Sequence, residues 1–323
     1  MRILKKTNNK KKSQQLKGVI CGIASAVFYG TNPFGALSLR QEGIETNSAL
    51  FYRISIACAI LGLVMLVRRS SFKVSLRELG VLAVLGVVFA ASSLTFFLSF
   101  NYLDSGLACS LLFVYPVMVA VLMAVFFKER LKPSAIFALA LALGGIALLY
   151  GGGSEGALSP VGIMLILISA LTYAVYIVVV NSGIQMSSVK MTFYVLLFCS
   201  MTIGLYDLIV AGGVDPLTTP ASYFYAFMLA LVPTVLSLVL MTMAVHLVGS
   251  TPTAIMGAMD PMTAVIVGVT VFGEVLTLRA VCGMILILIA VMIIILGKNF
   301  TMGRLVFVVG RARKVLKFWR WHF

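Results

Sequence analysis

The chain has 323 residues, 61 % of them hydrophobic and only 11 % charged, with a formal net charge of +15. Soluble domains carry roughly 45–50 % apolar and about 25 % charged residues, so a water-facing surface is excluded and the composition is that of a polytopic membrane protein. The basic excess does not point to nucleic acid, because Lys and Arg sit in short loops and two terminal segments, where membrane topology and anionic lipid account for them.

Residues 1–16 form a basic tail, and no small-residue cleavage site ends the apolar run that follows, which reads as a retained first helix. Ten apolar stretches then run over 17–39, 47–67, 77–101, 106–127, 134–150, 160–181, 189–211, 222–245, 252–272 and 279–297. Each is near the roughly 20 residues that cross a bilayer. Turn-forming residues separate them, among them Gly151–Gly153, Asp215-Pro216 and Lys132-Pro133. Helices are expected because backbone polar groups in lipid need partners within their own segment. The alternation of barrel strands is missing. The expected fold is therefore all-α: ten transmembrane helices, arranged as two five-helix repeats.

Charge placement orients the chain. With the N-terminus in the cytoplasm, the inside segments hold 22 of the 25 Lys and Arg residues. Arg40 and Arg279 fall outside, and Arg53 lies within the second helix. Both termini are therefore expected inside. Residues 298–323 mix aromatic and aliphatic side chains with Arg304, Arg311, Arg313, Lys314, Lys317 and Arg320, and carry both tryptophans, Trp319 and Trp321. This basic cytoplasmic tail is expected to lie on the membrane surface against anionic lipids. The five cysteines all sit in apolar runs and form no metal-ligand spacing.

One stretch is written twice. Phe113-Val114-Tyr115-Pro116 leads through an apolar run to Phe127-Lys128-Glu129-Arg130-Leu131, and Ala258-Met259-Asp260-Pro261 leads to Phe272-Gly273-Glu274-Val275-Leu276. The offset is 145 (116 to 261, 129 to 274). Ser25 and Tyr29 match Ser169 and Tyr173 at offset 144, while Asn101 and Ser105 match His246 and Ser250 at 145. The repeats span 17–150 and 160–297. Five helices is an odd number, so the halves enter the membrane from opposite sides, and such inverted repeats place a substrate site between them near the midplane.

These residues resemble the drug/metabolite transporter superfamily, specifically its ten-helix EamA-type members. Tyr29-Gly30-Thr31-Asn32 is similar to a W-G-S-N stretch in that family's first helix, and Arg53-Ile54-Ser55-Ile56-Ala57 to its R-F-x-x-A stretch in the second. The two Pro-to-Glu stretches resemble its P…G-E-R-L signature. Tyr29, Lys128, Val275 and Asp260 depart from the pattern. The resemblance implies a carrier of small organic metabolites, such as amino acids or related compounds, around a cavity lined by helices one, three, four, six, eight and nine. A flippase for a lipid-linked sugar is the competing expectation. A small-molecule substrate and the bilayer are the expected partners, and a monomer is compatible with this.

Asp260 is the sharpest candidate for chemistry. A carboxylate deep in a membrane helix faces a cavity or a partner. It either binds a substrate ammonium, titrates as a coupling group, or is satisfied by Thr253 or Thr263. Arg53 either receives a substrate carboxylate or is held structurally, by Asp207 or a helix end. Tyr29, Asn32, Tyr115, Tyr173 and Tyr176 offer aromatic faces with polar tips, and helical spacing pairs Tyr29 with Asn32 and Tyr173 with Tyr176. Pro116 and Pro261 are expected to free the carbonyls of Leu112 and Gly257 and to act as hinges or static kinks. Glu129 and Glu274 end their helices as inter-helix or interface anchors. His246 reads as a polar cap. No nucleotide-cradling loop, enzyme signature, cofactor motif or metal motif is present in the sequence.

Overall fold

The computed structural model describes residues 2–127, 133–150, 159–183, 186–248, 256–257 and 259–298. Residues 128–131, Ser250, Thr253, the side chain of His246 and the segment 299–323 lie outside the described residues. The described chain is helical throughout its apolar stretches: α1 (Arg2–Gly30), α2 (Asn32–Gln41), α3 (Thr46–Val67), α4 (Leu76–Ser99), α5 (Ser105–Leu112), α6 (Tyr115–Phe127), α7 (Pro133–Tyr150), α8 (Pro160–Gly183), α9 (Ser188–Ile209), α10 (Pro220–Ala230), α11 (Ser237–Val248), α12 (Met259–Phe272) and α13 (Leu278–Lys298). Among the described residues, seven helical stretches are long and apolar enough to cross a membrane, and α12 and part of α13 form shorter apolar helices. The basic segment read as a tail is itself the start of α1, which begins at Arg2.

Local chemistry sets the ends. Ser75 caps α4 in a reciprocal pair: its hydroxyl accepts from the Glu78 amide (3.3 Å), and the Glu78 carboxylate accepts from the Ser75 amide (3.0 Å). Thr219 does the same for α10 with Ser222, and Pro220 occupies the first turn, where no N–H is needed. Gly273 ends α12 at φ +68°, a conformation glycine adopts without strain, and the Glu274 amide turns back to the Gly268 carbonyl (3.0 Å).

Three apolar stretches are not single straight helices. The first is interrupted at Thr31, between α1 and α2. Pro33 supplies no N–H there, and the Thr31 hydroxyl closes on the Phe28 carbonyl (2.7 Å). The fourth breaks at Phe113 and Val114, between α5 and α6. The eighth passes through a π-turn, Leu231–Leu236, between α10 and α11.

Packing is helix on helix. α1 lies along α11, α4 along α8 and α9, α3 along α9, and α7 along α13. Leu39, Leu50, Ile54, Phe97, Leu111, Ile166, Ile203, Leu229 and Ile287 are fully buried in one continuous core. Leu63, Leu66, Val84, Met164, Leu205 and Ile266 project outward, as lipid-facing positions should. These features make the protein an all-helical, multi-pass membrane protein.

Candidate functional site

The two signature regions meet directly. A Cβ on Gly30 would lie 2.6 Å from the Asp260 carbonyl and 2.6 Å from the Thr263 Cβ. Only glycine lets α1 approach α12 this closely, and the approach sets the α1–α2 break against the first turn of α12. Asn32, two residues on, is 1 % exposed. Its amide nitrogen donates to the Tyr29 carbonyl (2.8 Å), which fixes the orientation of the amide and leaves Oδ1 as a buried acceptor without a partner. Tyr29 and Asn32 are therefore joined across the interruption at Thr31 by this side-chain bond.

Asp260 sits at the second position of α12. Its amide donates to the Gly257 carbonyl (3.0 Å), so the oxygen expected to be freed by Pro261 is taken by a three-residue turn. Its Oδ1 is buried without a hydrogen-bond partner. Thr263 does not satisfy it, because that hydroxyl donates to the Met259 carbonyl (2.9 Å). The hydroxyls of Tyr29, Tyr115 and Tyr173 and the thiol of Cys109 lie within electrostatic reach of the carboxylate.

Arg53 is 5 % exposed. Its Nε donates to the Thr234 hydroxyl (2.9 Å), its guanidinium lies 5.2 Å from the Phe97 ring centroid, and it reaches the Tyr29 hydroxyl. Asp207 is not its partner: that carboxylate receives the Asn47 amide instead (2.9 Å). The partner that sequence reasoning missed, Thr234, lies in the π-turn, and the Thr234 hydroxyl in turn donates to the Leu229 carbonyl (3.3 Å).

The aromatic residues form a connected row. Tyr115, at the start of α6 beside Pro116, meets Tyr173 edge-on at 4.8 Å. Tyr173 stacks on Tyr176 at 6.0 Å with 14° between planes, one helical turn apart on α8. Phe89 of α4, not singled out from sequence, closes the row at 5.2 Å from Tyr176. All four tyrosines, Tyr29, Tyr115, Tyr173 and Tyr176, are half-buried. Pro116 stands in the first turn of α6, after the break at Phe113 and Val114, and Pro261 stands in the first turn of α12.

Serine contacts link the halves of the sequence in a reciprocal way. The Ser25 hydroxyl donates to the Ser237 carbonyl (2.8 Å) and the Ser237 hydroxyl to the Ser25 carbonyl (3.0 Å). Ser92 and Ser169 repeat the arrangement, at 3.0 and 2.7 Å. Ser169 stands 144 residues after Ser25, and Ser237 stands 145 after Ser92. Ser55 and Ser200, also 145 apart, touch each other at 2.6 Å. The repeat offset equates Ser25 with Ser169, Ser92 with Ser237 and Ser55 with Ser200, but of these only Ser55 and Ser200 touch each other.

Glu274, at the far end of α12, reaches the start of α5. Its Oε1 accepts from the Ser105 amide (2.7 Å) and hydroxyl (2.6 Å), and its Oε2 accepts from the Gly106 amide (3.2 Å). The carboxylate thereby caps a helix whose own N-cap residue, Asp104, makes no side-chain cap bond. Asp104 lies between spans. Loss of solvent around it and the neighbouring Glu274 charge push its carboxyl above the usual carboxylate range.

The EamA-like transporter family model matches residues 16–151 and again 160–296. An uncharacterized transporter of Archaeoglobus fulgidus is 29 % identical over 272 residues, covering 84 % of this chain and 93 % of its relative. The uncharacterized transporter YcbK of Bacillus subtilis is 25 % identical over 253 residues, covering 75 % and 81 %. A crystal structure described only as that of a protein shares the fold at a TM-score of 0.61 and 14 % identity, over 85 % of this chain and 95 % of that one. Two family matches over nearly the whole chain, on a helical membrane fold, make this protein a membrane transporter belonging to the EamA-like transporter family within the drug/metabolite transporter superfamily.

Proposed function

We propose that the chain is an alternating-access carrier of small organic metabolites, such as amino acids or related compounds. It has ten membrane helices in two inverted five-helix halves, 17–150 and 160–297, and sits in an inner membrane with both termini in the cytoplasm. It acts as a monomer, and its basic C-terminal segment rests on anionic lipid. The observation that carries this reading is the reciprocal serine contact. Ser25 with Ser237 and Ser169 with Ser92 are the same contact with the halves exchanged, as a two-fold relation between the halves requires. An alternating-access carrier needs such interchangeable halves.

The substrate site lies where the halves meet. Tyr29, Asn32, Arg53 and Tyr115 come from one half, and Tyr173, Tyr176 and Asp260 from the other. The half-burial of the four tyrosines and Asp260, around the buried Asn32 and Arg53 and beside a broken helix, supports a cavity there. Pro116 and Pro261, each in the first turn of its helix, serve as hinges. The test is counterflow in proteoliposomes with labelled amino acids, nucleosides and sugars, run with and without a pH gradient. Saturable exchange of at least one solute is expected. Phospholipid scrambling with no solute exchange would overturn the proposal in favour of a flippase.

A further inference from the structure

The central cluster has an uneven supply of hydrogen-bonding groups. Among the described residues, two buried oxygens there lack partners, Asn32 Oδ1 and Asp260 Oδ1, both able to accept. They belong to the two segments that Gly30 brings into contact. Buried acceptors without donors are costly, and a ligand that brings N–H groups relieves both. The buried cation of the cluster does not supply them. Arg53 is directed to Thr234, Tyr29 and the face of Phe97.

Asp260 also stands in the first turn of α12, where the positive end of the helix dipole offsets part of the cost of charging a buried carboxylate, and a bound cation would offset more. Tyr115 and Tyr173, both within electrostatic reach of it, present rings in an edge-to-face pair 4.8 Å apart. A carboxylate within electrostatic reach of two tyrosines suits an organic ammonium: an ion pair on one side, cation–π contact on the other. A carboxylate-bearing anion would meet Asp260 unfavourably and find Arg53 already engaged.

We infer that Asp260, Asn32 Oδ1 and the rings of Tyr115 and Tyr173 form an ammonium-binding subsite, so that the cargo carries a cationic amine on an apolar body and needs no carboxylate. The inference rests on the reading of this cluster as the transport site. Three probes with a common phenyl body separate the possibilities: 2-phenylethylamine, phenylalanine and 3-phenylpropionate, titrated calorimetrically into the full-length protein in detergent. The two ammonium compounds bind saturably and 3-phenylpropionate does not. Asp260→Asn weakens 2-phenylethylamine about 10- to 100-fold. Asp260→Glu, which keeps the charge, loses less than Asp260→Asn. The unliganded melting temperature of each variant separates lost binding from lost folding.

The inference is overturned if 3-phenylpropionate binds as well as the amine, if neither amine binds saturably, or if Asp260→Asn binds 2-phenylethylamine like the unmodified chain. Counterflow of the same probes distinguishes the two readings. Amine binding that depends on Asp260, with no flux of any solute, refutes transport and leaves the subsite standing. Solute flux indifferent to Asp260→Asn refutes the subsite and leaves transport standing.

Discussion

Glu274 offers the most direct test of how the helix ends are held. Its carboxylate accepts three hydrogen bonds from the start of α5, two from Ser105 and one from Gly106. Ser105 is 1 % exposed, so its donors have little access to water once the carboxylate is gone. A buried donor left unsatisfied costs about 1–3 kcal/mol, and a carboxylate at a helix N-terminus contributes about 0.3–1 kcal/mol. Glu274 itself is half-exposed, which lets water replace part of the loss on the Gly106 side. Glu274→Ala should therefore cost about 2 kcal/mol. Glu274→Gln keeps one oxygen for Ser105 but turns an amide NH₂ toward the Gly106 N–H, so it should cost about 1 kcal/mol. Reversible denaturation in detergent micelles, followed by circular dichroism, measures both. If glutamine proved as damaging as alanine, or if both variants stayed within about 0.5 kcal/mol of the unmodified chain, the carboxylate would not be the cap described.

Other substitutions test the centre and the loop. Gly30→Ala puts a methyl against the Asp260 carbonyl and Thr263 and should cost about 1–3 kcal/mol, with loss of solute exchange; unchanged stability would show that α1 and α12 are not held at this distance. Arg53→Lys cannot keep both the Nε bond to Thr234 and the flat contact with Phe97. It should lose about 1–3 kcal/mol in the same denaturation assay, and a neutral result would mean that the guanidinium geometry is not used. Asp104 should impose a pH dependence. Its folded carboxyl titrates above the unfolded one, so the stability it contributes is fully present below the ordinary aspartate range and is lost as pH rises through the raised value. Asp104→Asn should abolish that loss, seen as a flatter plot of melting temperature against pH; an unchanged plot would assign the dependence elsewhere.

Much of this architecture is readable from residue order. Apolar length and the absence of strand alternation announce helices, and the two matched Pro-to-Glu stretches announce an internal repeat. Gly273 and Glu274 belong to the second copy, and the structure gives both a reason: one turns the chain, the other caps a distant helix. Local periodicity says less about where a helix stops being regular. Tyr29 and Asn32 have helical spacing, yet the helix is interrupted at Thr31, because Pro33 and two side-chain bonds to backbone carbonyls outweigh the period. Charge complementarity draws Arg53 toward Asp207 on paper. In the fold its donor goes to a threonine in a π-turn that no sequence pattern foretells. The repeat matches Ser25 with Ser169 but does not say what either touches: hydroxyls are common on membrane helices, and only the rotation of each helix decides which ones meet.

The Ser55–Ser200 contact, 2.6 Å long between positions 145 residues apart, has a consequence for motion. In the proposed inverted arrangement, exchanging the conformations of the two halves carries Ser25–Ser237 onto Ser169–Ser92, but it carries Ser55–Ser200 onto itself. That contact is a fixed point. A form open to one side of the membrane and its mirror state open to the other would both contain it unaltered, as two tilts of a balance share one fulcrum.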